Sequence, residues 1–196
     1  LVDTQPNEFD MLVRLSGFSH GTDVWLGNAK DLILSNTATV KETVGCRDDI
    51  MLTLIEYGLP AKRAFKIMET VRKGRGLAED MEKDMRDASV PEWYIDSCKK
   101  IKYLFPKAHA VAYVMMALRI AYCKVFFPLE YYCAFFTIRA KTFDYAKMCQ
   151  GRTHLEALMD LYEKAKDPHS AKDEDEYRDM RIVQEMYARG FGFVPR

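Results

Sequence analysis

Signals for β-structure are nearly absent from this 196-residue chain, whereas helical spacing recurs from end to end. That imbalance excludes sandwiches, barrels and sheet-centred folds and predicts an all-α protein. Cysteine is present without pattern. Cys46, Cys98, Cys123, Cys133 and Cys149 are odd in number and scattered, with no CxxC and no Cys/His set at structural-zinc spacing. A disulfide framework and a structural metal are thereby excluded, and reduced thiols in a cytoplasmic protein are expected. No internal repeat is visible, and no signal peptide opens the sequence. It starts at Leu1, and its opening reads as cut from something longer. Net charge is absent too, with 29 Lys and Arg against 29 Asp and Glu.

The zero total hides an uneven distribution. Residues 1–60 hold 4 basic and 9 acidic side chains, residues 61–124 hold 14 and 8, and residues 125–196 hold 11 and 12. A basic middle supplies local attraction for polyanions even in a neutral chain. Its densest part is Lys99–Lys124, with six Lys or Arg and no acidic residue. Residues 108–127 are apolar enough to raise the question of a membrane span. Arg119 and Lys124 interrupt the run and Pro128 stops it, so a long central buried helix is expected and no membrane partner.

Prolines at helix starts and glycines at helix ends mark out the elements. Pro6 is expected to begin a helix that Gly17 ends, and Asp23 to cap a second one over VWLGNAKDLIL. Pro60, Pro91, Pro106 and Pro128 each precede a further helix, and two polar helices follow near 152–166 and 174–189. The charge-dense stretch 168–179 reads as a mobile connector or a solvated helix start. The expected organisation is a basic helical body over 1–150 and a C-terminal helical pair over 151–196.

Three constellations can carry chemistry. Ser19, His20, Gly21 and Thr22 link two helices, and Gly21 permits close backbone approach. In GCRDD, Asp48 and Asp49 lie in a first helical turn, where carboxylates complement the helix dipole, and they diverge by about 100°. Arg47 beside them is the better candidate, because guanidinium grips phosphate through paired hydrogen bonds. The third constellation is two basic clusters, Arg72, Lys73 and Arg75 around Gly74, and Lys99, Lys100 and Lys102 ahead of Pro106. Tyr103 and Phe105 alternate with the second cluster. Lys107 and His109 then fall in the first turn after Pro106, where free N–H groups and two cations suit a phosphate. Tyr113 shares a face with His109 at i and i+4.

The segments SGFSHGTDVWLGNA, GCRDDIM, FKIMETVRKGRG, VPEWYIDSCKKIKYLFPKAHAVAY and RIAYCKVFFPLEYY resemble, in that order, the PolC-type alpha subunit of bacterial DNA polymerase III. The likeness is close over 8–150 and thinner over 151–196, where MYARGFGF remains. It implies the fingers region of a replicative nucleotidyltransferase, which binds the incoming dNTP and the DNA template-primer. By the same resemblance Lys107 and His109 lie near the triphosphate and Ser19 and His20 near the nascent base pair. Arg47 and Tyr113 are further nucleotide candidates, and Arg72, Lys73, Arg75, Lys99 and Lys100 are DNA or phosphate contacts. The family's catalytic aspartates belong to an upstream palm segment of Asp-Ile-Asp type, which this sequence lacks. Mg2+ in the parent enzyme is therefore assigned to the palm, and none to this chain, which is expected to be inactive alone and to rely on the palm and other domains. The alternatives are a stand-alone helical nucleic-acid-binding module and a protein-interaction domain whose basic face is merely solvated.

Overall fold

Helices account for the regular structure throughout residues 4–165 and 169–194, the part of the chain described by the computed structural model. No strand occurs among the described residues, apart from a single isolated bridge between Thr22 and Tyr103. The chain divides into two compact units, residues 1–118 and 119–196. The division expected near residue 150 thus lies inside the second unit, because Tyr132 and Met148 share one core with Leu155, Met159, Met180 and Val183.

In the first unit the helices are α1 (Phe9–His20), α2 (Lys30–Leu34), α3 (Arg47–Glu56), α4 (Ala61–Arg72), α5 (Glu79–Asp87) and α6 (Glu92–Lys100). Ala64, Ile67, Met68 and Val71 form one stripe of α4, as their spacing predicts. The stripe packs with Ile50 and Leu54 of α3, Met81 and Met85 of α5, and Tyr94, Ile95 and Cys98 of α6. Helix α5 has no counterpart in the sequence reading. Its two methionines are the whole apolar signal in EDMEKDMRD, four residues apart in an otherwise charged run.

Two expected boundaries move. Helix α1 continues through Gly17 and ends at Gly21, whose N–H donates to the Gly17 carbonyl at 2.9 Å. Gly17 instead serves close packing, since a Cβ there would lie 2.1 Å from the Gly45 carbonyl oxygen. Asp23 is not a helix cap. It takes a left-handed conformation at φ 57°, and residues 25–29 form an irregular turn in which Leu26, Gly27 and Asn28 leave helical geometry. Asn28 explains the break. Its buried amide donates to the carbonyls of Asp23 (3.0 Å) and Ser97 (3.2 Å) and accepts from Ser97 Oγ (2.6 Å), bonds that a straight helix would not allow.

Helix α7 (Lys107–Phe126) begins where Pro106 predicts, with the Pro106 carbonyl accepting the Ala110 N–H at 3.1 Å. The expectation that it is buried is overturned. Ala110 is its one buried residue, and Tyr113, Leu118, Ile120, Tyr122, Val125 and Phe126 are exposed. The physical reason is that apolar residues occupy all its faces, while packing with Val13, Cys46 and Phe105 covers just its first turns. At 20 residues it is long and apolar enough to cross a membrane by length and composition alone.

The second unit adds α8 (Pro128–Ala134), a wide helical turn over Phe135–Arg139, α9 (Tyr145–Met148), α10 (Arg152–Lys164) and α11 (Ala171–Ala188). The acidic stretch 168–179, apart from Pro168, which lies outside the described residues, resolves as the approach to α11 and its first half. Ser170 and Asp173 cap that helix reciprocally.

Candidate functional site

The first half of α1, the start of α3 and the start of α7 meet at one buried carboxylate. Asp49 is 4% exposed and caps its own helix, its Oδ2 accepting the N–H groups of Gly45 (3.1 Å) and Cys46 (2.8 Å). The same oxygen faces Arg14 Nη1 at 3.2 Å, and Oδ1 faces Lys107 Nζ at 3.4 Å. Arg14 also donates to the Thr43 carbonyl at 2.7 Å, and Lys107 reaches Asp10 at 3.2 Å. Burial on its own would raise the Asp10 pKa, but hydrogen bonds and charge from Lys107 and Arg14 prevail and lower it. Burial would lower that of Lys107, but Asp49 and Asp10 outweigh it and raise it. Nearby, burial and the Asp49 charge push the Cys46 thiol up to about 12, so it is not a nucleophile.

Asp48 takes a different role. Its Oδ2 accepts the backbone N–H of Lys107 at 2.7 Å, satisfying a donor that α7 itself leaves open. The mouth of α7, expected as a seat for phosphate, thus already holds a carboxylate of the same chain. The neighbouring Arg47 N–H donates to the Phe105 carbonyl at 3.0 Å, while Arg47 Nε is buried without a hydrogen-bond partner, 3.8 Å from Asp48.

These anchors present a strip of rings. Phe105 stands 5.4 Å from His20, 4.7 Å from His109 and 6.5 Å from Tyr103, centroid to centroid. His109 in turn lies 4.4 Å from Tyr113. The Thr22–Tyr103 bridge ties the loop after α1 to the segment before α7, with Thr22 N–H donating to the Tyr103 carbonyl at 3.0 Å. Gly21 allows that approach, because a Cβ there would lie 3.0 Å from the Tyr103 oxygen. His20 Nδ1 sits 2.9 Å from the Ser16 carbonyl. A carbonyl only accepts, so Nδ1 carries hydrogen and Nε2 remains as the outward-facing ring nitrogen. Ser19 Oγ donates to the same carbonyl at 3.0 Å and touches His20 Nδ1 at 2.9 Å, which fixes the ring.

Of the sequence candidates, Ser19, His20, Arg47, Lys107, His109 and Tyr113 converge on this region. The basic clusters divide. Arg72 and Lys73 both bind Glu69, whose carboxyl they hold at about 2. Lys99 pairs with Glu82 at 3.1 Å, and Lys100 donates to the Gly27 carbonyl at 2.9 Å. Arg75 is exposed and makes no ion pair among the described residues. Gly74, at φ 66°, passes so near Lys102 that a Cβ would lie 2.4 Å from its carbonyl oxygen, which sets Arg75 and Lys102 on neighbouring backbones.

Sequence reasoning missed Asp10 and Arg14, which carry no motif of their own. It noted Tyr103 and Phe105 without placing them in the site, although their alternation with lysines was the available signal. Among the described residues no group of three or more His, Cys, Asp and Glu is gathered as a metal cage. The carboxylate oxygens of Asp48 and Asp49 accept hydrogen bonds from separate backbone N–H groups, so this pair does not fit Mg2+.

Residues 1–90 match the model of the finger domain of the bacterial DNA polymerase III alpha subunit. The chain is 54% identical over 194 residues to the PolC-type DNA polymerase III of Bacillus subtilis (strain 168) and 52% identical over 194 residues to that of Pediococcus pentosaceus; each alignment covers 98% of this chain and 13% of the relative. It is 52% identical over 196 residues to that of Thermotoga maritima, an alignment covering all of this chain and 14% of that relative. The chain therefore spans about an eighth of the length of these relatives, and the likeness extends through 151–196. Along nearly all its length it is similar to a segment of PolC-type DNA polymerase III, and its first 90 residues match finger-domain sequence of the alpha subunit.

Proposed function

We propose that this segment binds the incoming dNTP and the template strand during DNA synthesis by a parent polymerase. The observation that carries this reading is the ring strip, in which Phe105 gathers His20 and His109 from separate elements and Tyr113 extends the row. Exposed aromatic faces stack on bases irrespective of sequence, at about 1–3 kcal/mol per base. Arg47 and His109 supply hydrogen-bond donors or charge for phosphate, while the Nε2 of His20, unprotonated when Nδ1 carries the hydrogen, is an acceptor on the base side of the strip. Lys107 contributes mainly as framework, since a phosphate must compete there with Asp10 and Asp49. Arg75 and Lys102 offer uncompensated charge for the DNA backbone, an interaction that weakens as salt rises. Arg72, Lys73, Lys99 and Lys100 reach DNA only by exchanging the partners described above.

Metal-dependent chemistry is assigned in this reading to a palm elsewhere in the cytoplasmic parent, and no step of it runs through residues of this segment. The exposed apolar faces of α7 are read as surfaces covered by the rest of that polymerase, of which this chain is about an eighth by its relatives' length. Membrane crossing is disfavoured, because Arg119 and Lys124 fall within the helix.

The test is steady-state kinetics on the full-length polymerase. His109→Ala and Tyr113→Ala are each expected to raise the dNTP KM about tenfold, the loss of one stacking contact. Unchanged kinetics in both variants would remove the strip from the substrate site.

A further inference from the structure

We infer that Asp48 is a positioning residue for nucleotide binding, acting through the hydrogen bond it accepts from the backbone of Lys107. The inference rests on the reading that the His109 face binds nucleotide. Asp48 stands in the first turn of α3, yet its carboxylate is directed to another helix, 2.7 Å from the first N–H of α7. The same turn holds the incoming chain a second time, through Arg47 N–H and the Phe105 carbonyl at 3.0 Å. Phe105 and Lys107 flank Pro106, so the two bonds clamp both sides of the point where α7 starts. His109 lies two residues beyond the clamp, and its ring makes no hydrogen bond among the described residues. Its ring is placed by Phe105 and Tyr113 and by the direction of the first helical turn.

Asp49 makes the complementary contact with the Lys107 side chain but is a poor probe. It is buried and binds two N–H groups and two cations, so its loss threatens folding. Asp48 is 36% exposed at the side chain, so it is the milder substitution, and Asp48→Asn controls for the charge it presents to Arg47 Nε at 3.8 Å. Metal binding is a weaker account of this carboxylate, since its coordinating oxygen is already directed at a backbone donor and Asp49 points elsewhere.

The experiment compares Asp48→Ala, Asp48→Asn and His109→Ala in the full-length polymerase by steady-state kinetics. Asp48→Ala removes the acceptor and is expected to raise the dNTP KM about fivefold, with kcat within twofold. Asn keeps an oxygen at the same place, so Asp48→Asn is expected to restore a KM near the parent value. A purely structural role would instead lower the active fraction, depressing kcat with KM unchanged, and that result overturns the proposal. Equal KM defects in Asp48→Ala and Asp48→Asn overturn it as well, because charge rather than the hydrogen bond would then matter. If His109→Ala raises KM and Asp48→Ala does not, the substrate site stands and the positioning role falls. If His109→Ala has no effect, the positioning role falls, and the substrate site falls with it only when Tyr113→Ala is also without effect.

Discussion

Lys107 faces Asp10 and Asp49 across 3.2 and 3.4 Å, so the cation nearest the mouth of α7 is balanced before any ligand arrives. Its pairing has a definite pH signature. Asp10 has a lowered folded pKa, so its contribution is fully present above the unfolded value of about 3.9 and is lost as pH falls through the folded value. Lys107 has a raised folded pKa, so its contribution is present below about 10.4 and is lost as pH rises through the folded value. Asp10→Asn is therefore expected to lower the melting temperature across the neutral range, with the difference from the parent closing below about pH 4. Thermal melts of both forms across pH check this. Asp10 is 43% exposed at the side chain, so the neutral-range loss is small, within the range of about 0–1 kcal/mol typical of solvent-screened pairs. None of this was legible in the sequence, because Asp10, Asp49 and Lys107 lie in three separate segments and only folding brings them together.

At the scale of elements, local chemistry announced some helices and concealed others. The apolar stripe of α4 and the prolines before α4, α6 and α7 were readable, because periodicity and a fixed φ act within a few residues. The short helix α9 and the charged helix α5 were not, since neither carries enough apolar residues to show a period. The turn over residues 25–29 was read as helix for a related reason. Its sequence favours helix locally, and Asn28 breaks it by bonding to Ser97, 69 residues away. Ser97→Ala leaves Asn28 Oδ1 without that donor and the turn less firmly tied to α6. Unfolding by denaturant should show a loss of about 1–3 kcal/mol, the usual penalty for an unsatisfied buried polar group.

The whole chain contains two compact units with separate hydrophobic cores. The two tryptophans of the chain, Trp25 and Trp93, both pack on the core of the first unit, so their fluorescence reports that unit alone. Leu155→Ala opens a cavity in the fully buried centre of the second core, at about 2–5 kcal/mol. Circular dichroism is expected to show helix loss at lower denaturant in this variant, while the tryptophan transition keeps its midpoint. Coincident shifts of both signals would show instead that the units unfold as one.

By itself the sequence determined the helical class, the start of α7, the stripe of α4 and the set of motifs that carry the family resemblance, all properties of residues close along the chain. Tertiary structure decided which carboxylate meets which cation, that Gly17 lies inside a helix against Gly45, and that Phe105 draws His20 and His109 into one strip. It also decided that α7 is exposed. An apolar helix reads the same in sequence whether covered or bare, because burial depends on what surrounds a helix and its residues specify only what would be favourable to cover.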